Sequence, residues 1–290
     1  MFMKTSLKAL TAGALALSFG TAAYAADNSV KIGWTAWSDA EFVTKLTQRI
    51  LEERMDYEVE LVQTDIAPQY QGLSDGDLDL MLMSWQPGTH GDYMEKVCND
   101  VVPLGILYTH ARLGWAIPAY IPEETLASIE DLSKDEVKEQ LDETITGIDP
   151  GAGITRLSKD ALEAYGLDDY ELQISSGAGM TAALERATQR DEWIVVTGWS
   201  PHWMFGAYDL RYLEDPKGIL GSFERVVALA REGFYQEDID AASFISRIQI
   251  PIDDLQAAMY DAQETSYEEA VTKYIENNEA RINYWVSGEF

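Results

Sequence analysis

From residue 30 onward, short apolar runs alternate with amphipathic ones, and this alternation leaves the chain few architectures. VKIGWTAW (30–37) predicts a strand, and EFVTKLTQRILEERM (41–55) a helix with Phe42, Leu46 and Ile50 on one stripe. YEVELVQT is the next strand, PQYQGLSDG contains a short helix, and LDLMLMSW is apolar enough to be a buried strand ending at Trp85. The order β-α-β-α-β predicts an open α/β sheet with parallel strands, whose ligands sit beyond the carboxyl ends of the strands. LGWAIPAYI (113–121), broken by Pro118 and Pro122, carries the chain into a second lobe, where the alternation restarts. There TITGIDPGAGI (144–154) is a strand and Gly-rich turn, TRLSKDALEAYG a helix, and YELQIS a strand. GMTAALERATQR is a helix, and DEWIVVTGW a buried strand ending at Trp199. RVVALAREGF returns the chain to the first lobe. Two helical segments follow, one beginning at Pro251 and one opening on the capping pattern Ser266-x-x-Glu269.

The first 25 residues are not expected to belong to the fold. Lys4 and Lys8 precede an apolar run from Ala9 to Phe19, and Ala23-Tyr24-Ala25 has the form of a secretory cleavage site. The run is too short to span about 30 Å of hydrocarbon, and no cysteine at the cleavage site offers a lipid anchor. The expected location is therefore periplasmic, as a soluble, unanchored protein; a monomer is expected. Cys98 is the only cysteine, so no intramolecular disulfide can form and core burial must hold the chain together. With 50 acidic against 21 basic residues, the formal charge is −29. Such a surface repels nucleic acid and anionic membranes, and it reads as solvated rather than as a site for a cationic partner.

Each lobe contains an apolar strand that ends in Trp-x-Pro with a histidine nearby: SWQPGTH (84–90) and GWSPHW (198–203). One buried tryptophan is more often core than site. Trp37, Trp85 and Trp199, all at the expected ligand edge, suit a sugar by stacking or a quaternary ammonium by cation–π attraction. An N-trimethyl head has no N–H to donate, so indole faces grip it where hydrogen bonds cannot, at about 0.5–2 kcal/mol each. DPGAGI (149–154) lies between a strand and a helix. The N–H groups of Gly153 and Ile154 there would face outward at a helix N-terminus, which seats carboxylates. His90, five residues after Trp85, could reach the same cleft as a second donor. His202 reads as structural and His110 carries no signal. Asp39 either faces a cation or caps the helix that follows it. Asp77 and Asp79 read as solvated. No metal-ligand spacing or catalytic motif is present, and no cofactor is expected.

At AWSD (36–39), SWQPGTH, GIDPGAGI (147–154) and TGWSPHWMF (197–205) the chain resembles the glycine betaine-binding proteins of ABC importers, the type that includes choline and proline betaine receptors. The resemblance runs across essentially the whole chain after residue 25. It implies a two-lobed periplasmic-binding-protein fold of type II, each lobe a central sheet flanked by helices, with ligand in the cleft between them. Lobe boundaries are expected at 26–115 and 221–290 for the first lobe and 116–220 for the second. Carried over, Trp37, Trp85 and Trp199 look like the aromatic cage, and His90, Gly153 and Ile154 like the carboxylate clamp. The implied activity is capture of glycine betaine and delivery to a membrane permease, without catalysis. A choline receptor is the nearest alternative, and an exported enzyme or a carbohydrate receptor the more distant ones.

Overall fold

In the computed structural model, which describes residues 28–289, the first third of the chain winds as its pattern predicts. β1 (Ser29–Trp34), α1 (Ser38–Met55), β2 (Glu58–Gln63), α2 (Ile66–Asp75), β3 (Leu80–Gln86) and α3 (Gly91–Val97) follow one another. β1 pairs in parallel with both β2 and β3. α1 buries Phe42, Leu46 and Ile50 on one stripe, adds Val43 and Leu51, and stops at Asp56 in the left-handed region. β3 is buried from Leu80 to Trp85, so both of its faces are covered, in keeping with its apolar run. The expected signal peptide, residues 1–25, lies outside the described residues.

β4 (Val101–Pro118) is longer than the strand expected at 113–121 and begins twelve residues earlier. Pro103, Gly105 and several half-exposed positions break its alternation, and its pairing shifts register there, so the first half carries no clean strand signature. β4 pairs antiparallel with β9 (Glu224–Arg231) as far as Ala111. From Arg112 to Ala116 it pairs with β7 (Val196–Ser200), and its last residues pair with β8 (Leu210–Tyr212). One strand thus threads two half-sheets, giving the order β2-β1-β3-β9-β4-β7-β5-β6. The second half-sheet contains β5 (Thr144–Thr146) and β6 (Glu171–Gln173), which are parallel to each other. Its helices are α4 (Asp135–Leu141), α5 (Gly153–Tyr165), α6 (Gly177–Thr188) and the short α7 (Met204–Ala207).

The C-terminal region packs back on the first half-sheet as α8 (Phe234–Glu237), α9 (Ile239–Arg247), α10 (Ile252–Glu264), α11 (Tyr267–Asn277) and α12 (Glu279–Ser287). Pro251 is the N-cap of α10 rather than its first helical residue. Ser266 caps α11 by accepting from the Glu269 N–H, while the continuous pattern from 266 to 285 breaks at Asn278 into two helices. A second, separate core gathers around Trp115, Ile117 and Leu126, where Trp115 Nε1–H donates to Ser158 Oγ at 2.8 Å. Among the described residues no helix is long and apolar enough to cross a membrane.

Candidate ligand-binding site

The Trp85–His90 turn closes on itself. The His90 N–H donates to Trp85 O at 3.0 Å, and the Trp85 N–H donates to His90 Nδ1 at 3.1 Å. With Nδ1 accepting, the ring keeps its proton on Nε2. His90 is only 1% exposed, and burial, assisted by the charge of Arg156 and opposed by the Met83 backbone, pushes its pKa down to about 3. The imidazole is therefore a neutral donor at physiological pH. Glu224, at the start of β9, fastens this turn from beneath. It accepts from the Thr89 N–H at 3.0 Å and from Thr89 Oγ1 at 2.9 Å, and burial raises its pKa against those donors.

The opposite wall is the N-terminus of α5, which starts at Gly153, two residues before the helical segment read from Thr155. Its N-cap, Ala152, supplies no side-chain cap. The N–H groups of Thr155 and Arg156 turn onto Ala152 O, while a helix leaves the first N–H groups, here those of Gly153 and Ile154, without an internal partner. The two walls approach closely. A Cβ on Gly153 would stand 2.5 Å from both Thr89 Cγ2 and Thr89 O. Across the same gap, Tyr93 Oη donates to Gly151 O at 2.8 Å and Arg156 Nε pairs with Asp92 Oδ2 at 3.2 Å.

Between these walls stand the indoles. Trp37 lies at the N-cap of α1, three residues beyond β1, whereas Trp85 and Trp199 are the penultimate residues of β3 and β7. The Trp37 and Trp199 rings are 6.4 Å apart and inclined at 58°. His202 sets its ring edgewise to Trp199 at 4.5 Å, and its Nδ1 accepts the Met204 N–H. His202 thus braces the Trp199 ring. Burial lowers its pKa to about 3, so it too is neutral.

Trp37, Trp85, Trp199, His90, Gly153 and Ile154 all line one small cavity. Thr89, Leu113, Ile148 and Ala152 complete the lining. Three of these four fall inside or beside the quoted motifs but carry no chemistry of their own that would single them out. Asp39 does not line the cavity. It is 1% exposed and accepts from Tyr108 Oη at 2.6 Å and from Trp199 Nε1 at 3.0 Å. Burial raises its pKa, while the Tyr108 and Trp199 donors pull it down. Asp79 is not simply solvated as expected: it accepts from the Lys31 N–H at 2.8 Å and from Arg231 Nε at 2.7 Å. Among the described residues no cluster of three or more metal-ligating side chains occurs.

Two half-sheets threaded by one shared strand, with a small apolar cavity where their strand ends and helix N-termini meet, define the periplasmic-binding-protein architecture. Residues 28–277 match the substrate binding domain of ABC-type glycine betaine transport systems, and the chain belongs to that family. The glycine betaine/carnitine transport binding protein GbuC of Listeria monocytogenes serotype 1/2a is 34% identical over 198 residues, which are 67% of this chain and 62% of that protein. The chain thus matches less than two thirds of that relative's length. The crystal structure of lactococcal OpuAC, closed and complexed with glycine betaine, is similar with a TM-score of 0.83 and 33% identity, over 89% of this chain and 99% of that one. An ABC-transporter choline binding protein in complex with choline is similar with a TM-score of 0.82 and 25% identity, over 90% of this chain and 92% of that one.

Proposed function

We propose that the chain is a periplasmic receptor that captures glycine betaine, or a closely related quaternary ammonium zwitterion, and hands it to an ABC importer permease without chemical change. The observation that carries this reading is the lining of the cavity: three indoles share it with an uncapped helix N-terminus and a neutral imidazole. A cation with no N–H suits the indole faces and a carboxylate suits the donors. In this reading the first lobe comprises 26–115 and 221–290, the second comprises 116–220, and β4 is one of the two connections between them. Ligand touching both lobes favours the closed arrangement because its contacts are complete only there.

Choline shares the cationic head but ends in a hydroxyl. Asp39 does not line the cavity and already accepts from Tyr108 and Trp199. A sugar would need partners for many hydroxyls, and this mostly apolar lining offers few. His90→Ala separates betaine from choline. Losing a hydrogen bond to a charged group costs about 1.5–3 kcal/mol, so betaine affinity falls roughly ten- to a hundredfold. Choline affinity falls less. Calorimetric titration of both ligands reads the split, and an equal loss contradicts the carboxylate role of His90.

A further inference from the structure

Two of the three cage indoles give their N–H to a carboxylate from the other side of the cleft. Trp37 Nε1–H, from the α1 side, donates to Asp149 Oδ2 at 2.9 Å, in the turn before α5. Trp199 Nε1–H, from β7, donates to Asp39 Oδ1 at 3.0 Å, in α1. The two bonds cross the cleft in opposite directions. The Asp149 backbone carbonyl accepts from the Ala152 N–H and from Thr155 Oγ1, which holds its turn in place, and the Asp39 carboxylate also receives Tyr108 Oη.

An indole's attraction for a cation is electrostatic and depends on the negative charge over its face. The pyrrole nitrogen belongs to that π system. A charge-assisted bond from its N–H to an anion therefore pushes electron density into the ring, and a poorly solvated setting strengthens the effect. Neither aspartate needs to touch the ligand for this to act.

We propose that Asp149 and Asp39 are positioning residues for the cage: each orients the indole it holds, and Asp149 also polarises Trp37, so that the cage recognises positive charge and not methyl bulk alone. The proposal rests on the reading of this cavity as a quaternary ammonium cage. It also ties selectivity to closure, because each bond forms only when the two sides of the cleft meet.

Asp149→Asn keeps an oxygen acceptor for Trp37 and removes the charge. The ligand pair is glycine betaine and 3,3-dimethylbutanoate, which has the same shape and carboxylate with carbon in place of nitrogen. In calorimetric titrations the substitution is expected to weaken betaine about tenfold and to leave the isostere within about twofold. Equal weakening of both ligands, or no change in either, overturns the proposal and leaves Asp149 a simple latch. Asp149→Ala, titrated with betaine alone, decides the matter should the isostere bind too weakly to measure. If charge is what matters, Asn behaves like Ala at this position; a latch needs only an acceptor, so recovery of wild-type affinity by Asn overturns the proposal. Unmodified protein that binds betaine no more tightly than the isostere overturns the cage reading itself, a failure visible before any substitution is made.

Discussion

Replacing Gly153 by alanine is expected to lower betaine affinity about ten- to a hundredfold while leaving the unliganded protein at least as stable as before. The added methyl would stand 2.5 Å from Thr89 O and 2.5 Å from Thr89 Cγ2. The oxygen is backbone, in a turn fastened by Glu224 and by the Trp85–His90 pair of hydrogen bonds, so the wall cannot yield cheaply. Overpacking of this kind costs about 1–3 kcal/mol, and each 1.4 kcal/mol is about tenfold in affinity. The whole cost falls on the closed state, where the clamp is complete. Gly153 occupies the first helical position of α5 with an ordinary backbone conformation, which alanine adopts without strain. Calorimetry with thermal unfolding of the unliganded protein checks both halves. Unchanged affinity would show that Gly153 and Thr89 do not meet in the bound state.

Trp199→Ala is expected to weaken betaine and choline alike, by about 2–4 kcal/mol, or roughly thirty- to a thousandfold. The substitution removes one of the three indoles that line the cavity and the edge contact of His202. It also removes one of the two side-chain donors to Asp39, whose carboxylate is almost wholly buried. Both ligands carry the same trimethylammonium head, so the loss must not discriminate between them. Trp199→Phe separates the contributions: it keeps an aromatic face, drops the N–H, and should recover part of the affinity. Loss of betaine binding with choline binding intact would place the cationic head elsewhere.

What the sequence made legible was local. Trp85, the turn and His90 lie within six residues, and the helix start at Gly153 follows a Gly-rich turn, so short-range geometry alone brings each piece to a strand end or helix terminus. The Trp-x-Pro echo at 85–87 and 199–201 marked corresponding places in the two lobes. The residues that orient the site were not legible in this way. Asp149 lies 112 residues from Trp37, Asp39 lies 160 from Trp199, and Glu224 lies 135 from Thr89. Each pairing exists only once the parts of the sheet are assembled. Nothing in a strand-initial glutamate or a Trp-x-Asp distinguishes a positioning carboxylate from a solvated one.

The same reasoning explains the fold-level differences. β4 runs eighteen residues, but its first half is bulged around Pro103 and Gly105 and partly exposed, so neither period is clean. Asn278 ends α11 without a proline or glycine to announce it; its own side chain turns back to Tyr274 O. The parts that followed the pattern, α1 and β3 among them, are those where burial on one stripe or both faces left a strict period.

The central claim is that one small cavity grips both ends of a zwitterion, and calorimetric titration of the unmodified protein with glycine betaine and with choline tests it most directly. The account predicts that betaine binds more tightly, by at least about tenfold, because only betaine offers a carboxylate to His90 and the α5 N-terminus. Choline binding as tightly as betaine, or more tightly, would contradict it.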